Sequence, residues 1–426
     1  MEVFHSTSIR RQLYPDAPIQ CTDAGIVCTN QQQERRQVMK LPFFFLVGFF
    51  ILSLTVSCKR AEIIPTNTFS CNDTFVQNHA RAGEFQSILN KYVKNGLPGI
   101  SLLVEDSNGR FTGTAGMADI AGGVPFTSCH VSKAASITKL MTGTLALMLQ
   151  EKGILDLDDP LSKYIDGKVL EQLENAKDKT IRHCLNHTTG IYDLTTNPDY
   201  YLAVLNNPIK RWEPMDLLPF AYGKPGYPLD KYKAYYSNTN TVLVVLCIER
   251  ATGQSHASLL KEMIWNPLKM YNTFYQGHDE LPDHTAQGYF DLHSNGGLSN
   301  VSNFTTGSGN GYGGVFSNVF DLYRFSKALF DDRNLLNSAS MLELQDWVQE
   351  DDDFYTGAGA IKKFTRKADY GVGHTGRDLG YSANLFWFPN RRSTMVFFVN
   401  YGTNGDSKFR QVFRDFENEI TDAMLR

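Results

Sequence analysis

The sequence predicts an α+β fold in which strands from both ends of the chain form one antiparallel sheet flanked by helices. Three observations support this prediction: a strand pair near residue 100, further strands after residue 370, and a mostly helical insertion between them. The chain has 426 residues, of which 42% are hydrophobic and 20% charged, as in packed globular proteins. This composition excludes a disordered chain, a collagen-like chain and a disulfide-stapled miniprotein.

The first elements are a helix and a hairpin. Apolar residues recur at three- and four-residue spacing over residues 75–92, which predicts an amphipathic helix. Apolar runs at 99–104 and 111–115 then flank Asp106-Ser107-Asn108-Gly109. An Asn-Gly pair supplies the positive φ that tight hairpin turns need, so these two runs are predicted to pair.

The later elements are helical first and then extended. A long helix is predicted over residues 132–151, with Gly153 ending it, and about 130–290 forms a helical subdomain broken by Pro and Gly loops. A charged amphipathic helix is predicted over 406–425. Between these helical parts lie three strand patterns, at residues 370–374, 382–388 and 394–400.

The N-terminal region contains an export signal by its pattern. Residues 41–57 carry no charge, Lys40 precedes them and Cys58 follows them. A basic start, an apolar core and small residues at the exit are typical of a secretory signal, and Leu54-Thr55-Val56-Ser57-Cys58 resembles a loose lipobox. The alternative is a single transmembrane anchor, for which 17 residues is at the short limit. Both interpretations place the rest of the chain outside the cytoplasm.

These signals divide the chain. Met39-Lys40 suits the start of a signal, so we predict a signal peptide at 39–57 and an overlong N-terminal extension at 1–38. Residues 58–73 are polar and typical of a tether, and 74–426 form the folded domain. We therefore expect a protein of the bacterial cell envelope, a lipoprotein attached at Cys58 that faces the periplasm or the cell surface.

Charge and cysteine content argue against a nucleic-acid partner and against a metal cluster. The net charge is −4 and no block of five like charges occurs, so a nucleic-acid partner is not expected. No Cys-x-x-Cys pair occurs, so no metal cluster is expected. One or two disulfides are compatible with an oxidising compartment, formed among the four cysteines that follow Cys58, namely Cys71, Cys129, Cys184 and Cys247.

Two Ser-x-x-Lys sequences are candidates for a nucleophile with its base: Ser136 to Lys139 and Ser258 to Lys261. Residues i and i+3 share a helix face, and a desolvated lysine can lose its proton near neutral pH and accept the serine proton. Ser136 lies near the start of the long apolar helix predicted over 132–151, whereas Ser258 lies on a short helix with a solvated pattern. We therefore select Ser136 and Lys139, because precise sites are mounted on rigid buried elements.

Two further motifs complete an ordered set: Tyr236-Ser237-Asn238 and His374-Thr375-Gly376. Ser-x-x-Lys, Tyr-x-Asn and His/Lys-Thr-Gly in this order resemble the serine β-lactamase and penicillin-binding protein superfamily. The Tyr-x-Asn form resembles its class C β-lactamase and D-alanyl-D-alanine carboxypeptidase branch. The resemblance covers about residues 80–420 and implies the β-lactamase/transpeptidase-like fold.

The resemblance implies a role for each motif residue. Ser136 would attack an amide or ester carbonyl to form an acyl-enzyme, and Lys139 would assist its deprotonation. Tyr236, as a phenolate beside Lys139, would exchange protons with Ser136 and the leaving group, while Asn238 would orient Lys139 and a substrate carbonyl. The oxyanion hole would use the backbone N–H groups of Ser136 and Arg377. No metal or other cofactor is implied.

The third motif bears on the substrate. His374, Thr375 and Gly376 would line the cleft opposite the nucleophile, and His374 replaces the lysine of typical class C β-lactamases. Arg377 follows, and its side chain is expected either to bind a substrate carboxylate or to be a solvated arginine at the strand edge.

The preferred hypothesis is an exported serine hydrolase that resembles a D-alanyl-D-alanine carboxypeptidase or a related peptidase or esterase. The alternatives are a class C-type β-lactamase and a non-catalytic receptor for peptidoglycan fragments. The expected substrate is a small peptide, a β-lactam or an ester, and the expected membrane contact is through the N-terminal lipid or anchor. Two other patterns, Gly309-x-Gly311-x-x-Gly314 and the His183/His187 pair, are not expected to bind a nucleotide or zinc.

Overall fold

The computed structural model describes residues 62–69, 71, 77–229, 233–403 and 407–426, which belong to the unit Arg60–Arg426. The predicted extension, the signal peptide and Cys58 lie outside the described residues. None of the helices that can be described is both long and apolar enough to span a bilayer.

The largest sheet joins the two ends of the chain. Its nine strands are antiparallel and lie in the order β3-β2-β1-β14-β13-β12-β11-β10-β9. Its strands are β1 (Gly99–Asp106), β2 (Gly109–Asp119), β3 (Val124–Pro125), β9 (Val348–Asp351), β10 (Phe354–Thr356), β11 (Ile361–Lys363), β12 (Gly371–Asp378), β13 (Tyr381–Phe388) and β14 (Ser393–Val399). The predicted α+β class, with strands from both ends in one sheet, is confirmed.

Two smaller sheets lie in the central part of the chain. One has the order β4-β8-β5 and the other pairs β6 with β7. Their strands are β4 (Ser132–Ala135), β5 (Phe274–Tyr275), β6 (Tyr289–Phe290), β7 (Ser299–Asn300) and β8 (Val315–Ser317).

Helices cover both faces of the large sheet and fill the central part of the chain. They are α1 (Ala82–Lys94), α2 (Ile137–Glu151), α3 (Gly167–Leu170), α4 (Ile181–Leu185), α5 (Pro198–Asn206), α6 (Pro214–Leu217), α7 (Asn238–Thr252), α8 (His256–Leu260), α9 (Val319–Ser326), α10 (Ser338–Leu344) and α11 (Lys408–Met424). Short 3-10 turns occupy Leu161–Lys163, Leu194–Thr196 and Leu218–Phe220, and π-helical turns follow α8 and α9 at Lys261–Trp265 and Lys327–Asp331.

Strand β14 illustrates how the sheet separates two cores. Successive side chains of a strand point to opposite faces. Phe397 therefore packs with α1 and α11, where its ring lies 5.1 Å from that of Phe416, whereas Phe398 belongs to the core on the α2 side. This second core supports the helix that begins at the first motif.

The structure differs from the prediction over residues 132–151. The first four residues form strand β4, which pairs with β8 through Ser132↔Ser317 and Lys133↔Phe316, and the helix begins only at Ile137. Ala135 connects them with a φ of +49°. A left-handed residue interrupts a right-handed helix, so the predicted single helix becomes a strand, a turn and a helix.

The segment predicted as a tether is also partly attached to the folded unit. Thr66 donates through its backbone N–H to Asp119 and through Oγ1 to the carbonyl of Thr285. Cys71 forms a disulfide with Cys129. These contacts hold the described part of this segment, 62–69 and 71, against the domain.

Candidate active site

Ser136 lies at the junction between strand β4 and helix α2. It is the N-cap residue of α2, and its side chain makes no capping hydrogen bond, so the hydroxyl is available to other groups. The left-handed Ala135 immediately before it turns the chain from strand to helix. Strained backbone of this kind is concentrated at functional sites, because the surrounding structure must hold it in place.

Lys139 lies one helical turn after Ser136 and is almost completely buried. Its Nζ is 3.1 Å from Ser136 Oγ, 2.7 Å from Asn238 Oδ1 and 2.7 Å from the carbonyl oxygen of Tyr312. Burial lowers the pKa of Lys139, while the charges of Asp193 and Asp378 act in the opposite direction. The lysine is therefore prepared to exist as a neutral amine beside the serine hydroxyl.

Asn238 is the first residue of helix α7, and hydrogen bonds to Asp193 and Thr195 fix its side-chain amide. Its Nδ2 donates to Asp193 Oδ2 at 3.1 Å and to Thr195 Oγ1 at 3.0 Å, which directs Oδ1 toward Lys139. The expected contact with Lys139 is present. The amide N–H groups, however, point to Asp193 and Thr195, so the structure does not place them toward a substrate carbonyl.

Tyr236 contacts the same serine from the other side. Its hydroxyl donates to Ser136 Oγ at 3.0 Å, and its ring lies 4.4 Å from the buried ring of His187. His187 is itself fixed, because its Nδ1 accepts from the backbone N–H of Ser237 at 3.2 Å. Burial raises the pKa of Tyr236 well above its usual range, so the group is a neutral phenol and not the expected phenolate.

The third motif lies on strand β12, and its glycine permits close packing. A Cβ built on Gly376 would lie 2.0 Å from the carbonyl oxygen of Ala134, which is two residues before Ser136. Only glycine therefore lets β12 approach β4 this closely. His374 is buried with its ring centroid 6.5 Å from that of Tyr236. Burial, followed by the charge of Lys139, lowers the pKa of His374 to about 3, so the imidazole is neutral.

Neither expectation for the Arg377 side chain holds. Its guanidinium donates to Glu417 Oε1 at 2.8 Å and to Asn384 Oδ1 at 3.0 Å, and it lies 4.5 Å over the ring of Phe413. Adjacent strand residues point to opposite faces, so with Gly376 against β4 the next side chain must enter the core under α11. The side chain is 21% exposed, and its guanidinium is paired with Glu417 and so not free for a substrate carboxylate, although Arg377 still borders the cleft.

These motifs surround one cleft of about 340 Å³, a size suited to a small ligand. Ser136, Tyr236, Asn238 and Thr375 all line it. Its wall also includes residues that the sequence analysis did not single out as site residues, among them Thr195, Tyr200, Tyr201, Thr306, Glu350, Phe354 and Asp378. Within the described part of the chain, no group of three or more His, Cys, Asp or Glu side chains is placed to hold a metal ion.

Three features of this cleft were not predicted from the sequence. The Gly-rich stretch around Gly311 is a loop that brings the Tyr312 carbonyl to Lys139, and Asp193 holds Asn238. Glu350 enters the cleft from strand β9. The density of glycines marked the loop as a place of close backbone approach, but nothing local marked Asp193 or Glu350.

The rejected patterns lie elsewhere or have other partners. Ser258 is exposed, and its hydroxyl donates to the carbonyl of Ser255 at 2.8 Å. Lys261 pairs with Asp279 and not with Ser258. His183 caps helix α4 through Thr180, whereas His187 binds Ser237.

Comparison with known proteins identifies the family to which this chain belongs. The family profile described as Beta-lactamase matches residues 85–416, most of the chain. The chain belongs to the Beta-lactamase family. Among curated members similar to it is penicillin-binding protein 4* of Bacillus subtilis, 28% identical over 72% of this chain and 69% of that protein. Teichoic acid D-alanine hydrolase of Staphylococcus aureus is 26% identical, and the match spans only 53% of each protein.

Solved structures of the Beta-lactamase family share the fold. A D-stereospecific amidohydrolase from Streptomyces sp. aligns with a TM-score of 0.67 and 28% identity, covering 75% of this chain and 94% of that one. The D-amino acid amidase of Ochrobactrum anthropi aligns with a TM-score of 0.70 at 23% identity, covering 80% and 98%. With these relatives and the family match, the protein is a serine hydrolase of the β-lactamase fold.

Proposed function

We propose that this protein is an exported hydrolase in which Ser136 forms an acyl-enzyme with a small amide or ester, as in the peptidases and esterases related to D-alanyl-D-alanine carboxypeptidases. The observation that carries the proposal is the position of Ser136 Oγ. It lies 3.1 Å from Lys139 Nζ and 3.0 Å from the Tyr236 hydroxyl, at the wall of a ligand-sized cleft. A nucleophile between a base and an acid is the arrangement that acyl transfer needs.

The hydrogen-bond pattern supports Lys139 as the base. A neutral amine has two hydrogens and one lone pair. The carbonyl oxygens of Asn238 and Tyr312 take the two hydrogens, which leaves the lone pair for the proton of Ser136. An intact base–nucleophile pair of this kind is not required of a receptor that only binds peptidoglycan fragments.

The proposed reaction balances its protons through two groups. As Ser136 Oγ bonds to the substrate carbonyl carbon, its proton passes to Lys139. The bond to the leaving amine or alcohol then breaks, and the leaving group takes the phenolic proton of Tyr236, which is replaced from Lys139. Water repeats these steps in reverse order to release the acid. By resemblance, the backbone N–H groups of Ser136 and Arg377 stabilise the oxyanion.

Charge in the cleft favours one of the substrate classes considered. A β-lactam or a C-terminal D-alanine carries a carboxylate, yet the Arg377 guanidinium is bound to Glu417 and His374 is neutral. The relatives named above include an amidase of D-amino acids and a hydrolase of teichoic acid D-alanine. We therefore propose a small D-aminoacyl amide or ester as the acyl donor, in preference to a β-lactam.

The test uses the full chain and its two Ser-x-x-Lys serines. We expect wild type to hydrolyse D-alanyl p-nitroanilide or the phenyl ester of D-alanine, and Ser136→Ala to lose about 10³-fold or more of kcat/KM. Ser258→Ala, the matched control, retains wild-type activity because this hydroxyl lies outside the cleft. Equal activity of Ser136→Ala and wild type would refute the proposal.

A second readout with the same variants separates the alternatives. Intact mass spectrometry after incubation with benzylpenicillin reports a persistent adduct for a penicillin-binding carboxypeptidase and free penicilloate for a β-lactamase. We expect neither product, together with turnover of the D-alanyl donors. A Ser136-dependent adduct or penicilloate would restore the corresponding alternative.

Export and lipid attachment at Cys58 form part of the proposal. The support is the signal pattern at 39–57 together with the Cys71–Cys129 disulfide. Disulfides persist in oxidising compartments and are rare in the cytosol. The other two cysteines of the domain, Cys184 and Cys247, are buried as free thiols.

A further inference from the structure

Glu350 lines the cleft with a side chain that has no hydrogen-bond or ion-pair partner among the described residues. It lies on strand β9, at the edge of the large sheet, and lines the same cleft as Ser136. Its Oε2 is buried, and within the described part of the chain it makes no hydrogen bond. A buried polar atom left unpaired costs free energy, so such an atom in a binding cleft points to a ligand that pairs with it.

The strand that carries Glu350 is fixed against the second motif. The backbone N–H of Ala234 donates to the carbonyl of Gln349 at 2.8 Å, and Lys233 forms a bridge with the same residue. The segment that leads into Tyr236 therefore holds β9 beside the cleft. Glu350 is presented there by a paired strand and not by a free loop.

Glu350 lies on the side of Ser136 where the leaving group must be. The leaving group takes its proton from the Tyr236 hydroxyl, so it occupies the Tyr236 side of the nucleophile. Strand β9, which carries Glu350, is hydrogen-bonded through Gln349 to Ala234, two residues before Tyr236, whereas Asp378 ends strand β12. The two carboxylates therefore reach the cleft from different strands, and Glu350 comes from the strand next to the Tyr236 segment.

Asp378 pairs with a cation, whereas no cation among the described residues pairs with Glu350. Asp378 Oδ2 is 2.8 Å from the Nζ of buried Lys133 and also accepts from Thr306 Oγ1 at 3.0 Å. No ion pair to Glu350 occurs among the described residues, and burial raises its pKa to about 7. A cation that binds there would favour the ionised form of this carboxyl group.

We propose that Glu350 binds a positively charged group on the leaving-group side of the substrate, so that this hydrolase prefers amides and esters whose leaving group carries an ammonium. The inference rests on the proposed function, because it takes its geometry from the acyl-transfer reaction at Ser136. Phe354, on the neighbouring strand β10, lines the same cleft and supplies an apolar surface for the alkyl stem of such a group. The same carboxylate repels leaving groups that carry a carboxylate.

The kinetic test compares two substrates that differ only in the charge of the leaving group. D-alanyl-D-lysinamide and D-alanyl-D-norleucinamide have side chains of similar length, and only the first ends in an ammonium. We expect wild type to prefer the lysine substrate by about 10-fold or more in kcat/KM, the value of one charge-assisted hydrogen bond. Glu350→Gln should remove the preference, so that its kcat/KM values for the two substrates agree within about 3-fold.

Asp351→Asn is the matched control, because this carboxylate follows Glu350 on β9 and is exposed. It should retain the preference for lysine. An equal kcat/KM for both substrates in wild type, or a preference that survives in Glu350→Gln, would overturn the inference. Loss of activity toward both substrates in Glu350→Gln would also contradict it, since that outcome indicates a role in catalysis or folding.

A binding measurement separates this inference from the proposed function. The Ser136→Ala variant cannot form an acyl-enzyme, and its affinity for Nα-acetyl-D-lysinamide and Nα-acetyl-D-norleucinamide can be measured by calorimetry. We expect tighter binding of the lysine compound, lost in the double variant Ser136→Ala/Glu350→Gln. If wild type hydrolyses nothing but this difference persists, the proposed function fails and the cation site stands. If both compounds bind equally, the cation site fails.

Discussion

Lys139 illustrates how single residues set the chemistry of the cleft. Burial removes water from the ammonium and lowers its pKa, and Asp193 and Asp378 oppose that effect through their charges. Asp193 does not touch Lys139 directly. It acts across Asn238, whose amide it holds, so the charge and the orientation of the base depend on one carboxylate.

Removing the charge of Asp193 should shift the pH dependence of the reaction. The reaction needs neutral Lys139, so kcat/KM falls as the pH falls through the pKa of this amine. Asp193 favours the ammonium, so Asp193→Asn should lower the pKa further and move the acid limb of the pH–rate profile down by about 1 pH unit. Asp199→Asn, at an exposed position in the first turn of α5, should leave the limb in place. An acid limb that stays fixed or moves to higher pH in Asp193→Asn would contradict Lys139 as the base.

At the scale of elements, helix α11 packs against the sheet face opposite α2 and stabilises strand β12, which carries the third motif. Glu417 on α11 contacts Arg377 at 2.8 Å and Lys363 at 2.9 Å, and it accepts from Asn384 at 2.7 Å. Burial acts to raise the pKa of Glu417, but the charges of Lys363 and Arg377 outweigh it and hold the pKa at about 2. The stabilisation is therefore present above the usual pKa of a glutamate and is lost as the pH falls toward 2.

We expect Glu417→Ala to lower the free energy of unfolding by about 3 kcal/mol at neutral pH, because it leaves two partly buried cations without their anion. Asp422→Ala on the same helix removes only an exposed pair with Lys367 and should cost less than about 1 kcal/mol. Urea denaturation followed by circular dichroism measures both. A similar cost for the two variants would mean that the buried cluster does not stabilise the contact between α11 and β12.

The catalytic motifs could be predicted because each is a short run of neighbouring residues. The predictions failed where the structure of a segment depends on a strand that is distant in the sequence. Ser136 and Lys139 are one helical turn apart in any helix, and the apolar pattern of the residues that follow distinguished this pair from Ser258 and Lys261. Residues 132–135 became a strand because they pair with β8, a partner far along the chain. Glu350 lies in a Gln-Glu-Asp run that looks solvated, and long-range contacts of β9, such as that of Gln349 with Ala234, bring it to the cleft.

Arg377 is a different kind of error, because the signal was available. The strand pattern through His374 and Gly376 implies that the next residue points to the opposite face. Neither expectation for Arg377, a carboxylate-binding side chain or a solvated arginine at the strand edge, took this alternation into account. The side chain of Arg377 enters the core on the α11 side of the sheet, while the residue itself still borders the cleft.

At the scale of the whole molecule, the cysteines and the N-terminal segment give a joint prediction. Full-length protein expressed in a bacterial host should incorporate an alkyne-labelled fatty acid, and Cys58→Ala should abolish the label. The matched variant Cys71→Ser should keep the label and lose the protection of Cys129 from alkylation under denaturing conditions, because it removes the disulfide. Labelling that survives in Cys58→Ala, or a reduced Cys71–Cys129 pair in wild type, would contradict the proposed export and lipid attachment.

The pairing of β1 with β14 has a consequence for the order of synthesis. Ile100 lies opposite Val399, so a strand made near the beginning of translation finds its neighbour only when the chain is nearly complete. Until then the apolar edge of β1 has no partner on that side and must be shielded from aggregation. A nascent chain that stops before β12 already contains the first two motifs but lacks the wall that faces them. Such a fragment would contain the nucleophile without its pocket, and so catalysis would begin only when synthesis has ended.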